Sequence, residues 1–447
     1  MRSRSFTFKS SLVALLAAVV LGACAPAATP APTAAPAATQ PPAATVAPTA
    51  APKVTITWWH ISTVDDQKAL NQKHADQYMA LHPNVNIEIT VLDNEAFKSK
   101  LTTVMQAGTP PDLFQSWGGG VMNQYAQAGL LKDITADLKG SWGDSFGAGA
   151  LAVYSYQGKN YGVPRDFGMV GFWYNKDLFA KAGIKAPPAT WDDLLADIKL
   201  LKAAGITPIA VGEKDKWPGA FWWEYLAVRL GGQDAFTAAV SRKGKFTDQP
   251  FIDAGARLQD LVALQPFQDG SLGAVFNDES ALVGNGKAAM ELMGQWAPGN
   301  QKGQSLDKNG LGDKLGFFPF PSVAGGKGGP IDALGGGNGF IVGKNAPPEA
   351  VDFLKFLTNV QSQSDEAAIG MAVPVVKGSE AALADPLLKI VQQSAASAPY
   401  MQLYYDQYMP PAVGSVINDS VQELFAGTGT PADVAKAIED SAATELK

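Results

Sequence analysis

Along much of the chain the hydrophobic positions switch between a two-residue period and a three-to-four-residue period. Val54 to Trp59 alternates and is rich in β-branched and aromatic residues, which predicts a strand. Asp65 to Leu81 predicts a helix with Asp65 or Asp66 as N-cap, stopped by Pro83 and Asn84. Val85 to Leu92 predicts a second strand. Phe97, Leu101, Val104 and Met105 then keep helical spacing, and a third strand at Asp112 to Gln115 precedes a helix opened by Gly118-Gly119-Gly120. The pattern resumes with a strand at Met169 to Tyr174, a helix over 190–204 capped by Thr190, and a strand at Ile206 to Val211. Beyond Phe340 to Val342 helices dominate: Glu349 to Thr358, Ala381 to Gln393, Val413 to Phe425 and Pro431 to Ala443. Alternating strand and helix predict an α/β fold with a sheet flanked by helices. A chain of 447 residues exceeds what one core organises, so at least two lobes are expected.

The first 52 residues follow neither period. Arg2, Arg4 and Lys9 precede an apolar run, Ser11 to Leu21, that ends in Leu21-Gly22-Ala23-Cys24. This has the form of a signal peptide (1–23) with a bacterial lipobox, which places a lipid on Cys24. The residues after it, to Pro52, are almost all Ala, Pro or Thr, so 24–52 reads as the lipidated Cys and a semi-rigid tether. Loss of the leader's three cations would take the net charge from −7 to −10. That balance argues against nucleic acid. A single cysteine excludes an internal disulfide, and three histidines leave little imidazole chemistry.

Several motifs dissolve on inspection. Gly143-Asp144-Ser145-Phe146-Gly147 matches a nucleophile elbow, but His60, His74 and His82 all precede Ser145, so the chain order fails. His74 and His82 lack partners at metal-ligand spacing and read as surface residues. Asp307, Asn309 and Asp313 read as a polar turn without the distal ligand of a calcium loop. The aromatic residues carry more. Trp58-Trp59-His60, Gln115-Ser116-Trp117, Trp222-Trp223-Glu224, Gln295-Trp296 and Tyr404-Tyr405-Asp406 pair flat rings with polar groups at strand ends or element edges. Trp173 and Trp191 read as packing. Rings suit the C–H faces of a pyranose, and amides and carboxylates suit its hydroxyls.

The blocks "ITWWH", "PDLFQSWGGG", "FWYNKDLFAKAGI", "TWDDLLADIKLLKAAGITPIAVG" and "MELMGQWAPG", with the lipobox and tether, resemble the family 1 extracellular solute-binding proteins of carbohydrate ABC transporters. These are of the maltose-binding type, and the xylo- or other β-linked oligosaccharide branch is closest. The resemblance implies a two-lobe periplasmic-binding-protein fold (class II), with mixed sheets and a ligand cleft between lobes. One lobe would comprise 53–164 plus 330–374 and the other 165–329 plus 375–447, with crossings near Val163-Pro164-Arg165, Gly329-Pro330-Ile331 and Val373-Pro374. It implies ligand contacts by His60, Ser62, Ser116, Trp117, Arg165, Asp166, Trp222, Trp223, Glu224, Trp296, Asn338, Tyr405 and Asp406. Gly118 and Gly119 stand where some maltose binders carry a charge, which argues against maltose. The implied protein is a monomer without cofactor or metal, lipid-anchored on the periplasmic side or cell surface, which hands its sugar to permease subunits by hinge closure. The rival class is a secreted glycoside hydrolase, whose carboxylate pair would come from Glu224, Asp166 and Asp406.

Overall fold

The computed structural model describes residues 52–446; the leader, Cys24 and almost all of the tether lie outside the described residues. Among the described residues, Val54–His60, Val85–Val91, Leu113–Ser116, Gly162–Pro164 and Gly339–Val342 form a five-stranded sheet. Leu113–Ser116 is the central strand; Val54–His60 runs parallel to it and to 85–91, whereas 339–342 runs antiparallel to 113–116 and 162–164. The two-residue period sorts side chains to opposite faces. Phe340 joins Trp58, Tyr78 and Phe353 on one side, and Ile341 joins Phe97, Leu101 and Phe114 on the other.

A second lobe is built on a four-stranded sheet in the order 315–318, 171–175, 288–293, 207–209. Helices Trp191–Ala203, Trp217–Val240, Gln249–Ala263, Pro411–Ala426 and Pro431–Glu445 close over it around Trp173, Trp191, Leu258 and Ile417. Thr190 caps its helix as expected: its hydroxyl accepts the Asp193 N–H at 3.1 Å, and the Asp193 carboxylate accepts the Thr190 N–H at 3.1 Å.

A three-stranded sheet of Met401–Leu403, Ala333–Gly336 and Gly168–Met169 joins the lobes. The chain enters it from 162–164 through Arg165–Phe167 and leaves it for 339–342 through Gly337 and Asn338. Asp166 forms an antiparallel bridge with Pro374, so a third passage runs beside the first. Gly329-Pro330-Ile331 is not a crossing. It lies on the second lobe, where the Pro330 carbonyl accepts from the Arg229 guanidinium at 3.1 Å. The return instead uses glycines, because a Cβ on Gly337 would overlap the Asp166 carbonyl.

Other boundaries shift for local reasons. Val64 holds the N-cap position of helix Asp65–Leu81, and Asp65 and Asp66 lie in its first turn, where negative charge suits the helix dipole. The strand expected over 169–174 is split between two sheets, Gly168–Met169 and Gly171–Asn175. The helix expected from Ala381 starts at Pro386, with Asp385 accepting the Leu387 N–H at 2.7 Å. His74 is buried rather than surface-exposed, and burial pushes its pKa down to about 4. Asp307 accepts the Asn309 N–H at 3.0 Å in the polar turn anticipated there.

Candidate functional site

Between the lobes lies a cavity of about 390 Å³. Its floor is made by the crossing segments. The Asp166 carboxylate accepts from the Asn338 backbone N–H at 2.6 Å and from its side-chain amide at 3.0 Å, while the Asn338 side-chain oxygen accepts from Gln115 at 2.8 Å. A chain of polar groups thus ties the first-lobe sheet to two crossings. Burial raises the pKa of Asp166, opposed by the Asn338 hydrogen bonds and by Arg165. Arg165 is itself held from the first lobe. It donates to Glu366 at 3.0 Å and to the Ser62 hydroxyl at 3.3 Å, and it stands 5.7 Å over the Phe340 ring.

The second lobe supplies an aromatic wall. Helix Trp217–Val240 places Trp217 and Phe221 one turn apart on the cavity side. Trp296 stands at 6.3 Å and 63° to Trp217 and at 6.1 Å and 66° to Tyr404, and Phe221 lies 5.2 Å from Tyr404. Phe276 leans on Trp217 at 5.0 Å. Gly294 makes room for the Trp296 ring, which a Cβ would strike.

The facing wall is mostly polar: Ser62, Thr63, Gln67, Asp93, Asn94, Glu95 and Lys98. Trp117 is its aromatic member, set edge-on to Phe97 at 6.1 Å, with the Lys98 ammonium 5.7 Å from its ring centre. A molecule with one apolar face and a rim of hydroxyls fits between such walls.

Of the residues expected at the ligand, Ser62, Trp117, Arg165, Asp166, Trp296, Asn338 and Asp406 line the cavity together. The others are displaced from it, each for a physical reason. His60 is fully buried beneath the wall. Its Nδ1 accepts the Ser62 N–H at 3.2 Å, and burial, then Arg165, push its pKa down to about 3. The Ser116 hydroxyl accepts the Gly118 N–H at 3.0 Å and so supports a turn. Trp222 and Trp223 point into the second-lobe core: Trp222 meets Phe172 edge-on at 5.3 Å, and the Trp223 indole donates to the Phe251 carbonyl at 3.3 Å. Glu224 is buried beside Asp406, its pKa raised by burial and then by that charge. Tyr405 packs on Phe236 at 4.6 Å.

Sequence reasoning missed Trp217, Phe221 and Phe276. Trp222-Trp223-Glu224 does not lie at an element edge but inside a helix that starts at Trp217, with Pro218 in its first turn. Pro218 was the available signal, since proline favours that position. Among the described residues no group of three or more His, Cys, Asp or Glu is arranged to hold a metal ion. Nor is any helix there long and apolar enough to cross a membrane.

Two α/β lobes joined by crossing strands around an intervening cleft define a two-lobed binding protein. Residues 61–364 match the bacterial extracellular solute-binding protein family, and the chain belongs to it. It is 28% identical over 397 residues to an uncharacterized ABC transporter extracellular-binding protein of Pyrococcus horikoshii, covering 86% of this chain and 85% of that one. Two solved structures are similar along nearly their whole length. One comes from work on xylan utilization by the thermophilic bacterium Caldanaerobius polysaccharolyticus (31% identity, TM-score 0.81, 87% of this chain and 99% of that one). The other is a chitin oligosaccharide binding protein (30% identity, TM-score 0.80, 88% and 99%). The Pyrococcus relative and the chitin oligosaccharide relative are both described as binding proteins.

Proposed function

We propose that this chain is the extracytoplasmic receptor of a sugar ABC importer, that it captures a xylo- or other β-linked oligosaccharide between its lobes, and that it delivers the sugar intact to the permease. The observation that carries this reading is the asymmetric cavity, with an aromatic wall opposite a polar wall and an amide–carboxylate chain across the floor. The solved relatives linked to xylan utilization and to chitin oligosaccharides support a β-linked ligand. Micromolar affinity needs only about −8 kcal/mol, which a few stacked rings and hydrogen bonds supply. Cys24 carries the lipid and the Ala/Pro/Thr segment holds the body off the membrane. Replacing Cys24 with Ala is expected to move the protein from the membrane fraction to the soluble one; unchanged membrane association would show that Cys24 does not anchor it.

The function itself is tested by calorimetry with xylotriose and chitotriose, followed by chromatography of the sugars after prolonged incubation. One-to-one binding with intact sugar is expected. Shorter products would instead assign the protein to the glycoside hydrolases.

A further inference from the structure

The glycines at 118–120 are not explained by ligand contact, and they are not equivalent. Gly118 and Gly119 have φ of 70° and 62°, a conformation glycine adopts cheaply. Gly120 has no such excuse. It sits in the first turn of helix Gly119–Gln127 without a positive φ, where alanine is ordinarily the better helix former. What excludes a side chain there is the other lobe. A Cβ on Gly120 would lie 2.5 Å from the Met409 carbonyl carbon and 2.6 Å from the Tyr408 oxygen, and one on Gly119 would overlap the Gln407 carbonyl.

Each partner in this contact is fixed within its own lobe. The Gly118 N–H donates to Ser116 at 3.0 Å and the Gly119 N–H to the Val153 carbonyl at 3.1 Å, both in the first lobe. Across from them, the Gln407 N–H donates to the Tyr404 carbonyl at 3.1 Å, the Met409 N–H donates to the Tyr405 carbonyl at 2.9 Å, and Met409 is buried in the second-lobe core. Two independently anchored backbones therefore meet with no side chain between them. Another contact between the lobes, Lys302 with Asp66 at 2.9 Å, uses long exposed side chains that adjust freely. The glycine contact cannot adjust.

We propose that Gly119-Gly120 and Gln407–Met409 form a closure stop. The two backbones dock when the lobes close, and their contact sets the width of the cleft between Trp117, which immediately precedes the glycines, and Asp406 opposite. Gly120 is thus a positioning residue for the ligand without touching it. The inference rests on the oligosaccharide-receptor reading, because a stop matters only if the lobes close on a ligand.

Gly120→Ala tests it in the full chain. The variant is expected to fold and, without sugar, to melt no lower than wild type, because its methyl group meets only solvent when the lobes part. Its affinity for whichever of xylotriose and chitotriose the wild type binds should fall at least about tenfold, the usual scale for a methyl forced into a closed contact. Gly149→Ala, whose Cβ meets nothing within 4 Å, should bind as wild type does. Equal affinity of Gly120→Ala and wild type would overturn the stop while leaving the receptor reading intact. A wild type that binds neither trisaccharide would overturn both. Should Gly120→Ala fail to fold, hydrogen exchange on the wild type decides: amides at 119–121 and 407–409 should exchange more slowly with saturating sugar, and unchanged exchange would overturn the proposal.

Discussion

Replacing Trp296 with Ala removes the centre of the aromatic wall. The ring is partly buried against Trp217, Phe221 and Tyr404, with centroids 6.3, 6.5 and 6.1 Å away, and its remaining face looks into the cavity. Trp296 is only partly exposed, so of roughly 200 Å² for a whole indole side chain no more than about a third, on the order of 60 Å², is open to a ligand. A sugar that covers this face buries a similar area of its own, so at about 25 cal/mol per Å² the contact contributes about 1.5–3 kcal/mol. That corresponds to a loss of roughly tenfold to a hundredfold in affinity. Trp296→Tyr, which keeps a ring, should lose much less. Calorimetry supplies the dissociation constants, and circular dichroism confirms that each variant is folded at the assay temperature. A Trp296→Ala constant within twofold of wild type would refute the stacking role.

Two further variants test the polar framework. Arg165→Met leaves Glu366 buried without its partner, and breaking a buried pair costs about 3–5 kcal/mol, so the urea midpoint should fall clearly; an unchanged midpoint would show that the pair does not hold the first crossing. Glu279 and Glu291 share a buried site in the second lobe, where burial pushes Glu291 up to about 7 and, with the charge of Glu291, holds Glu279 well above the usual range. Both therefore keep protons when folded that the unfolded chain releases above about 4.3, so this pair costs stability as pH rises from there towards 7. Glu291→Gln should gain on wild type across that window in thermal melts, and a pH-independent difference would contradict the assignment.

How legible the protein was depended on whether each segment has two distinguishable faces. The strand at 54–60 has one buried and one less buried face, so its alternation was plain, and Thr190 with Asp193 announced a helix start through local chemistry alone. Helix 217–240 is buried nearly all round over its first half, so no hydrophobic phase distinguishes Trp217 and Phe221 on the cavity from Trp222 and Trp223 in the core. Proline suggested a crossing at 330 because it reads as extended chain anywhere, whereas the real crossing at Gly337-Asn338 depends on backbone proximity that no sequence period encodes. Buried acids such as Glu291 are invisible for the same reason: only the fold determines which carboxylates lose water.

On the reading proposed above, a β-linked oligosaccharide lies between the lobes against the aromatic wall. A crystal structure of the protein grown with xylotriose or chitotriose would locate that sugar. Pyranose density is expected in the cleft, with a ring face over Trp296 and hydroxyls at Asp166 and Asn338. Density for the sugar anywhere else, or a cleft filled only by water at saturating sugar, would contradict it.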